Sequence, residues 1–150
     1  MGFLRSVYYA LCGVKAAFKE RNFRVQCVAV LFVLTLAPVL SNTANGSVRL
    51  AALIICCGLV PAFELVNSAV ERLCDLITKE RKPEIKYIKD ISAGAVFIMA
   101  LASAMLFAVF IYDGGLCAII GFSKTHVWYP ALLFAELLLL IPAFITKNKG

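Results

Sequence analysis

The chain has 150 residues, 62% hydrophobic and only 16% charged, with a mean hydropathy of +0.89. Soluble domains carry about a quarter charged residues, so this composition indicates an all-α integral membrane protein without a separate soluble domain. The net charge of +6 is spread along the flanks of apolar segments rather than gathered in one patch, which excludes nucleic acid as a partner and reads as topology and lipid-surface signals.

Residues 2–22 place Phe3, Leu4, Val7, Tyr8, Leu11, Val14 and Phe18 at helical spacing with basic residues between them. That pattern predicts an amphipathic helix lying in the membrane interface. The charges distributed through the first 24 residues leave no apolar stretch for a cleavable leader. A first span runs from Val25 to Leu40, short but sufficient once its flanks are counted. Ser41 to Ser47 is a polar turn containing Asn45-Gly46; the Asn45-Gly46-Ser47 sequon reads as a turn rather than a glycosylation site. A second span starts near Arg49, passes Pro61, a position able to bend a helix, and continues to Ile77. Residues 78–90 form a charged connector. A third span covers Ile91–Tyr112, opened by Ser92, Ala93, Gly94 and Ala95, small residues that permit close helix approach. Beyond Asp113-Gly114-Gly115 comes a short apolar stretch to Phe122, then a fourth span from Val127 to Ile145, with His126 and Trp128 as interfacial anchors. The six cysteines show neither metal-ligand nor redox spacing and read as small packing residues.

Lysine and arginine set the orientation. Five precede the first span, six lie between Arg72 and Lys89, and two close the chain, whereas only Arg49 and Lys124 fall in the other two loops. The positive-inside bias therefore puts both termini and the charged connector in the cytoplasm.

The most informative stretch lies at the cytoplasmic end of the second span. At about 100° per residue, Glu64, Asn67, Ser68, Glu71 and Asp75 share one side of a helix whose other face is Leu65, Val66, Ala69, Val70 and Leu73. Ionisable residues at this depth are costly and point to function. The plain alternative is polar glue between helices of an oligomer. Lone Glu136 in the fourth span reads as such a contact between helices.

The pattern Glu64-x-x-Asn67-Ser68-Ala69-x-Glu71-x-x-x-Asp75, followed by Lys89-Asp90, resembles the bacterial prokaryotic-type diacylglycerol kinase/undecaprenol kinase family. Upstream, Ala17-Phe18-Lys19-Glu20-Arg21-Asn22-Phe23-Arg24 is similar to that family's junction of surface helix and first span. The resemblance covers roughly residues 3–111. It implies a lipid kinase core over residues 1–111, comprising a surface helix and three spans, with residues 112–150 as an extension that adds the fourth. It also implies a homotrimer in the bacterial cell membrane whose active sites lie at the cytoplasmic face between neighbouring subunits. By motif position Glu64 would be the general base, and Glu20 with Glu71 would hold Mg²⁺. The nucleotide site for ATP would involve Arg5, Tyr9, Glu20, Asn67, Glu71, Asp75, Glu80, Lys82, Lys89 and Asp90. The lipid acceptor would meet Glu64 and Ala93. Gln26 stands where relatives can carry an acid or a histidine, and no catalytic role transfers to it.

Elementary chemistry agrees. Phosphoryl transfer needs positioning, a cation to offset phosphate charge and a group to accept the hydroxyl proton. Glu20 and Glu71 could supply the one or two carboxylates that Mg²⁺ commonly takes, and a carboxylate in a low-dielectric setting is a better proton acceptor than an exposed one. Taken alone, Lys89-Asp90 also reads as a helix start capped by Asp90 or Ser92, and the connector as a solvated loop. No Walker A loop, Gly-x-Gly-x-x-Gly or Asp-Phe-Gly element occurs, which excludes P-loop and eukaryotic-type kinases. A channel or proton-coupled transporter would favour internal repeats, and none is found. A lipid phosphatase would want histidines, and His126 is alone on the opposite side. Between acceptors, Glu20–Phe23 and Asp75–Thr78 look closer to the undecaprenol branch, with diacylglycerol as the alternative.

Overall fold

The computed structural model of the chain describes residues 2–41 and 46–145. Among these residues six α-helices follow one another, α1 (Phe3–Ala17), α2 (Arg21–Ser41), α3 (Gly46–Ile77), α4 (Pro83–Phe110), α5 (Leu116–Thr125) and α6 (Trp128–Ile145), with a π-type segment Ile111–Gly115 between α4 and α5. No strand occurs among the described residues. Among the described residues, four helical segments are long and apolar enough to cross a membrane. Large apolar side chains such as Phe97, Ile98 and Met105 face outward, as lipid contact requires. All six cysteines are free thiols.

α1 is exposed along nearly its whole length, with Ala17 its buried residue, and it contacts the bundle at α3. It stops at Ala17, five residues short of the sequence expectation, because Phe18–Glu20 form a turn into α2. Arg24 holds that turn: its Nη1 donates to Phe18 O (3.0 Å) and Lys19 O (2.8 Å), satisfying carbonyls that the end of a helix leaves without partners. The turn carries Glu20 and points it toward α3.

α3 has 32 residues and stays helical through Pro61. At 1.5 Å per residue it is about 48 Å long, more than a hydrocarbon core of roughly 30 Å. Its final turns therefore project past the apolar region with the polar stripe on them. The charged connector is shorter than the sequence suggests, since α4 begins at Pro83 with Lys82 as its N-cap residue and Glu84 in its first turn. Proline is well suited to a first turn, where its missing N–H has no helical partner. Asp90 and Ser92 consequently lie inside α4 rather than capping it, and Ser92 faces α3.

The opposite end of the bundle holds the hydrophobic core, built from Leu36, Val39, Leu40, Leu53, Phe110 and Tyr129. Here the chain reverses. Gly114 adopts a φ of 87°, in the left-handed region that glycine reaches without strain. Arg49, only 5% exposed, anchors the bend through an ion pair with the Asp113 carboxylate and a hydrogen bond to Asp113 O (2.9 Å), with its guanidinium 5.7 Å from the centre of the Phe110 ring. α5 then lays Phe122 against His126 and Tyr129. α6 returns along α2, joined to it by Thr35 Oγ1 donating to Glu136 Oε1 (2.7 Å) and by Tyr129 Oη donating to Thr35 O (3.1 Å). The fourth helix thus docks by a polar clamp, with Glu136 buried at 5% exposure between two helices. The Asn45 side of the sequon, and the residues after Ile145, lie outside the described residues.

Candidate active site

On α3 the stripe Glu64, Asn67, Glu71, Asp75 runs at i, i+3, i+7 and i+11, and each member finds a partner on another helix or one turn away. Glu64 is 3% exposed and Asn67 4%, so the stripe is deepest at its N-terminal end. Gln26 of α2 donates from Nε2 to Glu64 Oε2 at 3.0 Å, and the Asn22 side chain also acts on that carboxylate. Both partners are neutral. They fix the direction of the carboxylate without the strong pairing a lysine or arginine would impose.

One turn on, a relay joins two helices. Ser92 of α4 donates from Oγ to Asn67 Oδ1 (2.6 Å), and Asn67 Nδ2 donates to Glu71 Oε1 (3.2 Å). Asn67 therefore has both ends of its amide committed, which holds Glu71 at the level of the α1–α2 turn. Glu20 on that turn accepts from Arg72 Nη2 at 2.8 Å. Glu20 and Glu71 are both close enough to Glu64 to act on it electrostatically. At the projecting end of α3, Lys89 Nζ donates to Asp75 Oδ1 at 2.5 Å.

Two depressions adjoin this constellation. One, of about 440 Å³, lies between α1 and α3 and is lined by Gly13, Glu20, Leu65, Ser68 and Arg72 among others. The other, of about 610 Å³, opens between the end of α3 and the start of α4 over Asp75, Glu80, Lys82, Lys86, Lys89 and Asp90. Glu80 and Lys82 form a loose pair at 3.7 Å, and Asp90 lies 3.8 Å from Lys86, one turn earlier. The structure thus places Glu20, Glu64, Asn67, Glu71, Asp75 and Lys89 along one end of α3 in neighbouring hydrogen-bonded groups, with Glu80, Lys82 and Asp90 around the second depression. Arg5 and Tyr9 stand apart, exposed near the start of α1 and on neither wall. Ala93 follows Ser92 on α4.

Three participants carry no role in the sequence reading: Gln26, Arg72 and Ser92. Ser92 falls one turn after Lys89 and could have been placed on the same α4 face by periodicity alone. Gln26 and Arg72 gave no local signal, because each acts on a residue far away in the chain.

The profile of the family described as prokaryotic diacylglycerol kinase matches residues 8–111. A diacylglycerol kinase of Synechocystis sp. is 36% identical over 105 residues, covering 69% of this chain and 58% of its own length. One from Haemophilus influenzae is 36% identical over 96 residues, 63% of this chain and 79% of its own. An undecaprenol kinase of Bacillus subtilis is 32% identical over 105 residues, 69% of this chain and 83% of its own. No solved structure matches the chain significantly. With the profile spanning well over half of the sequence, including every member of the α3 stripe, the chain belongs to the prokaryotic diacylglycerol kinase family.

Proposed function

We propose that this protein is a membrane lipid kinase that transfers the γ-phosphoryl group of ATP to the hydroxyl of a membrane lipid alcohol at the cytoplasmic face of the bacterial cell membrane. The observation that carries this reading is the buried Glu64 carboxylate, oriented by neutral Gln26 and set one turn from the Ser92–Asn67–Glu71 relay. Glu64 accepts the proton of the lipid hydroxyl as its oxygen attacks the γ-phosphorus. Neutral partners leave the carboxylate available as an acceptor, and burial keeps water from competing for the phosphoryl group. Lys89, with Lys82 and Lys86 near the second depression, offsets the charge of the polyphosphate. Asn67, Asp75, Glu80 and Asp90 shape the nucleotide site. Arg5 and Tyr9 complete it from the surface helix, and Ala93 lies beside the acceptor.

The donor set suits Mg²⁺. No cluster of three or more metal-ligating side chains exists among the described residues, but Mg²⁺ usually takes one or two carboxylates together with phosphate oxygens and water. Glu20 and Glu71, converging from the α1–α2 turn and α3, are the residues that would hold it. When bound it would neutralise phosphate charge. Residues 1–111 are the kinase core and 112–150 the extension. A homotrimer, with α4 or α1 of a neighbour closing the laterally open site, fits the exposure of Arg5 and Tyr9.

For the acceptor, the stretches Glu20–Phe23 and Asp75–Thr78 favour undecaprenol. The 36% identity to two diacylglycerol kinases against 32% to an undecaprenol kinase favours diacylglycerol as the second reading. Phosphoryl transfer from γ-labelled ATP in mixed micelles, with each alcohol and with none, tests both levels. Lipid-dependent transfer supports the kinase, and the ratio of kcat/KM for the two alcohols assigns the substrate. Absence of transfer to either alcohol would overturn the proposal.

A further inference from the structure

α6 lies outside the family-matched residues 8–111 and creates a groove that the kinase core alone would lack. Between α2 and the end of α6, Cys27, Val28 and Leu31 face Leu139, Pro142 and Ala143 across a gap of about 380 Å³. The gap persists because α6 presents compact side chains, Pro142 and Ala143, where it passes the first turns of α2. Its walls are apolar along the span. Its mouth, at the α1–α2 turn, is closed by Phe18 and the half-buried guanidinium of Arg24, which is held in place by the Phe18 and Lys19 carbonyls. Arg24 is the basic residue on the lining of this groove. Glu20 lines the other groove, between α1 and α3, and pairs with Arg72.

An apolar slot at span depth, ending in the Arg24 guanidinium at the interface, matches the two parts of an anionic phospholipid. We propose that the α2–α6 groove binds one anionic phospholipid of the surrounding bilayer, its acyl chain along Val28, Leu31 and Leu139 and its phosphate against Arg24. Charge complementarity selects this occupant over a zwitterionic lipid. A second copy of the chain would have to bring carboxylates to the same mouth. The bound lipid braces the α1–α2 turn on which Glu20 stands. The site is separate from the proposed acceptor site, since neither Glu64 nor any other member of the α3 stripe lines this groove.

The test uses the full chain in vesicles of phosphatidylcholine and phosphatidylglycerol, with Trp128→Phe and Leu31→Trp giving one fluorophore on the groove wall. Chain-brominated phosphatidylglycerol is expected to quench it about fivefold more effectively than brominated phosphatidylcholine at equal mole fraction, the effect of one basic side chain at an anionic surface. Arg24→Gln should bring the two lipids level, and Arg24→Lys should restore the preference. Should the Arg24 variants disturb the α1–α2 turn, Ala143→Leu gives an independent check, since it fills the groove without touching charge and should also level the two. Equal quenching in the parent, no quenching by either lipid (a groove covered by a second copy), or a preference unchanged in Arg24→Gln or Ala143→Leu would each overturn the proposal.

Discussion

Gln26 donates a 3.0 Å hydrogen bond to Glu64, joining α2 to α3 across 38 residues of sequence. The contact ties the proposed base to the helix that follows the Glu20 turn, so the aim of the carboxylate depends on how α2 and α3 pack. Gln26→Leu should lower kcat by about tenfold with little change in KM for ATP, because only orientation is lost. Glu64→Gln should cost roughly 10²–10⁴-fold, and the double variant should be no worse than Glu64→Gln alone. Steady-state kinetics in mixed micelles check this. A Gln26→Leu loss that multiplies fully with that of Glu64→Gln would separate the two residues.

Glu20 and Glu71 reach the same region from different elements, one held by Arg72 and the other by Asn67. Glu20→Gln and Glu71→Gln should each raise the Mg²⁺ concentration needed for half-maximal activity, and excess Mg²⁺ should partly rescue either variant. The pair should be non-additive if they serve one cation. Additive losses without response to Mg²⁺ would assign the two acids separate tasks.

At the far end of the bundle, Arg49 is buried while its Asp113 partner is mostly exposed. Asp113→Ala leaves the guanidinium in place without its counter-charge and should destabilise by about 1 kcal/mol, the upper range for an ion pair with a solvent-exposed partner. Arg49→Met combined with Asp113→Ala should recover part of that loss. Unfolding in bicelles measures both, and a single variant as stable as the parent would show the pair to be dispensable.

The Thr35–Glu136 clamp predicts a modest coupling. A double-mutant cycle with Thr35→Val and Glu136→Leu should return about 0.5–1.5 kcal/mol, the range of hydrogen bonds between membrane helices. Zero coupling would mean that apolar packing alone docks α6.

Four spans with an excess of basic residues on one side predict Ser123 outside and Lys82 inside the cell. In a cysteine-free background, a cysteine at 123 should react with an impermeant maleimide in whole cells, and one at 82 only after permeabilisation. The reverse pattern would invert the topology and move the proposed site away from cytoplasmic ATP.

Much of this molecule was legible in its sequence. The apolar runs announced the spans, since a helix that crosses a bilayer must be apolar over a fixed length. The 3.6-residue period put Glu64, Asn67, Glu71 and Asp75 on one face before any coordinate was known, because neighbours along a helix are set by local geometry. The motif also carried the family. Packing decided the rest. That Gln26 and not a charged group meets Glu64, that Arg72 holds Glu20, and that Ser92 completes the Asn67 relay depend on which helices lie side by side and at what depth. The sequence reading took Lys89-Asp90 as a possible helix start, whereas Pro83 at the first turn begins α4 earlier and turns Lys89 toward Asp75. Glu136 read as a lone acid until α6 folded back along α2 and set it against Thr35. Local periodicity is written residue by residue, but a partner 38 or 101 positions away is chosen only when the helices meet.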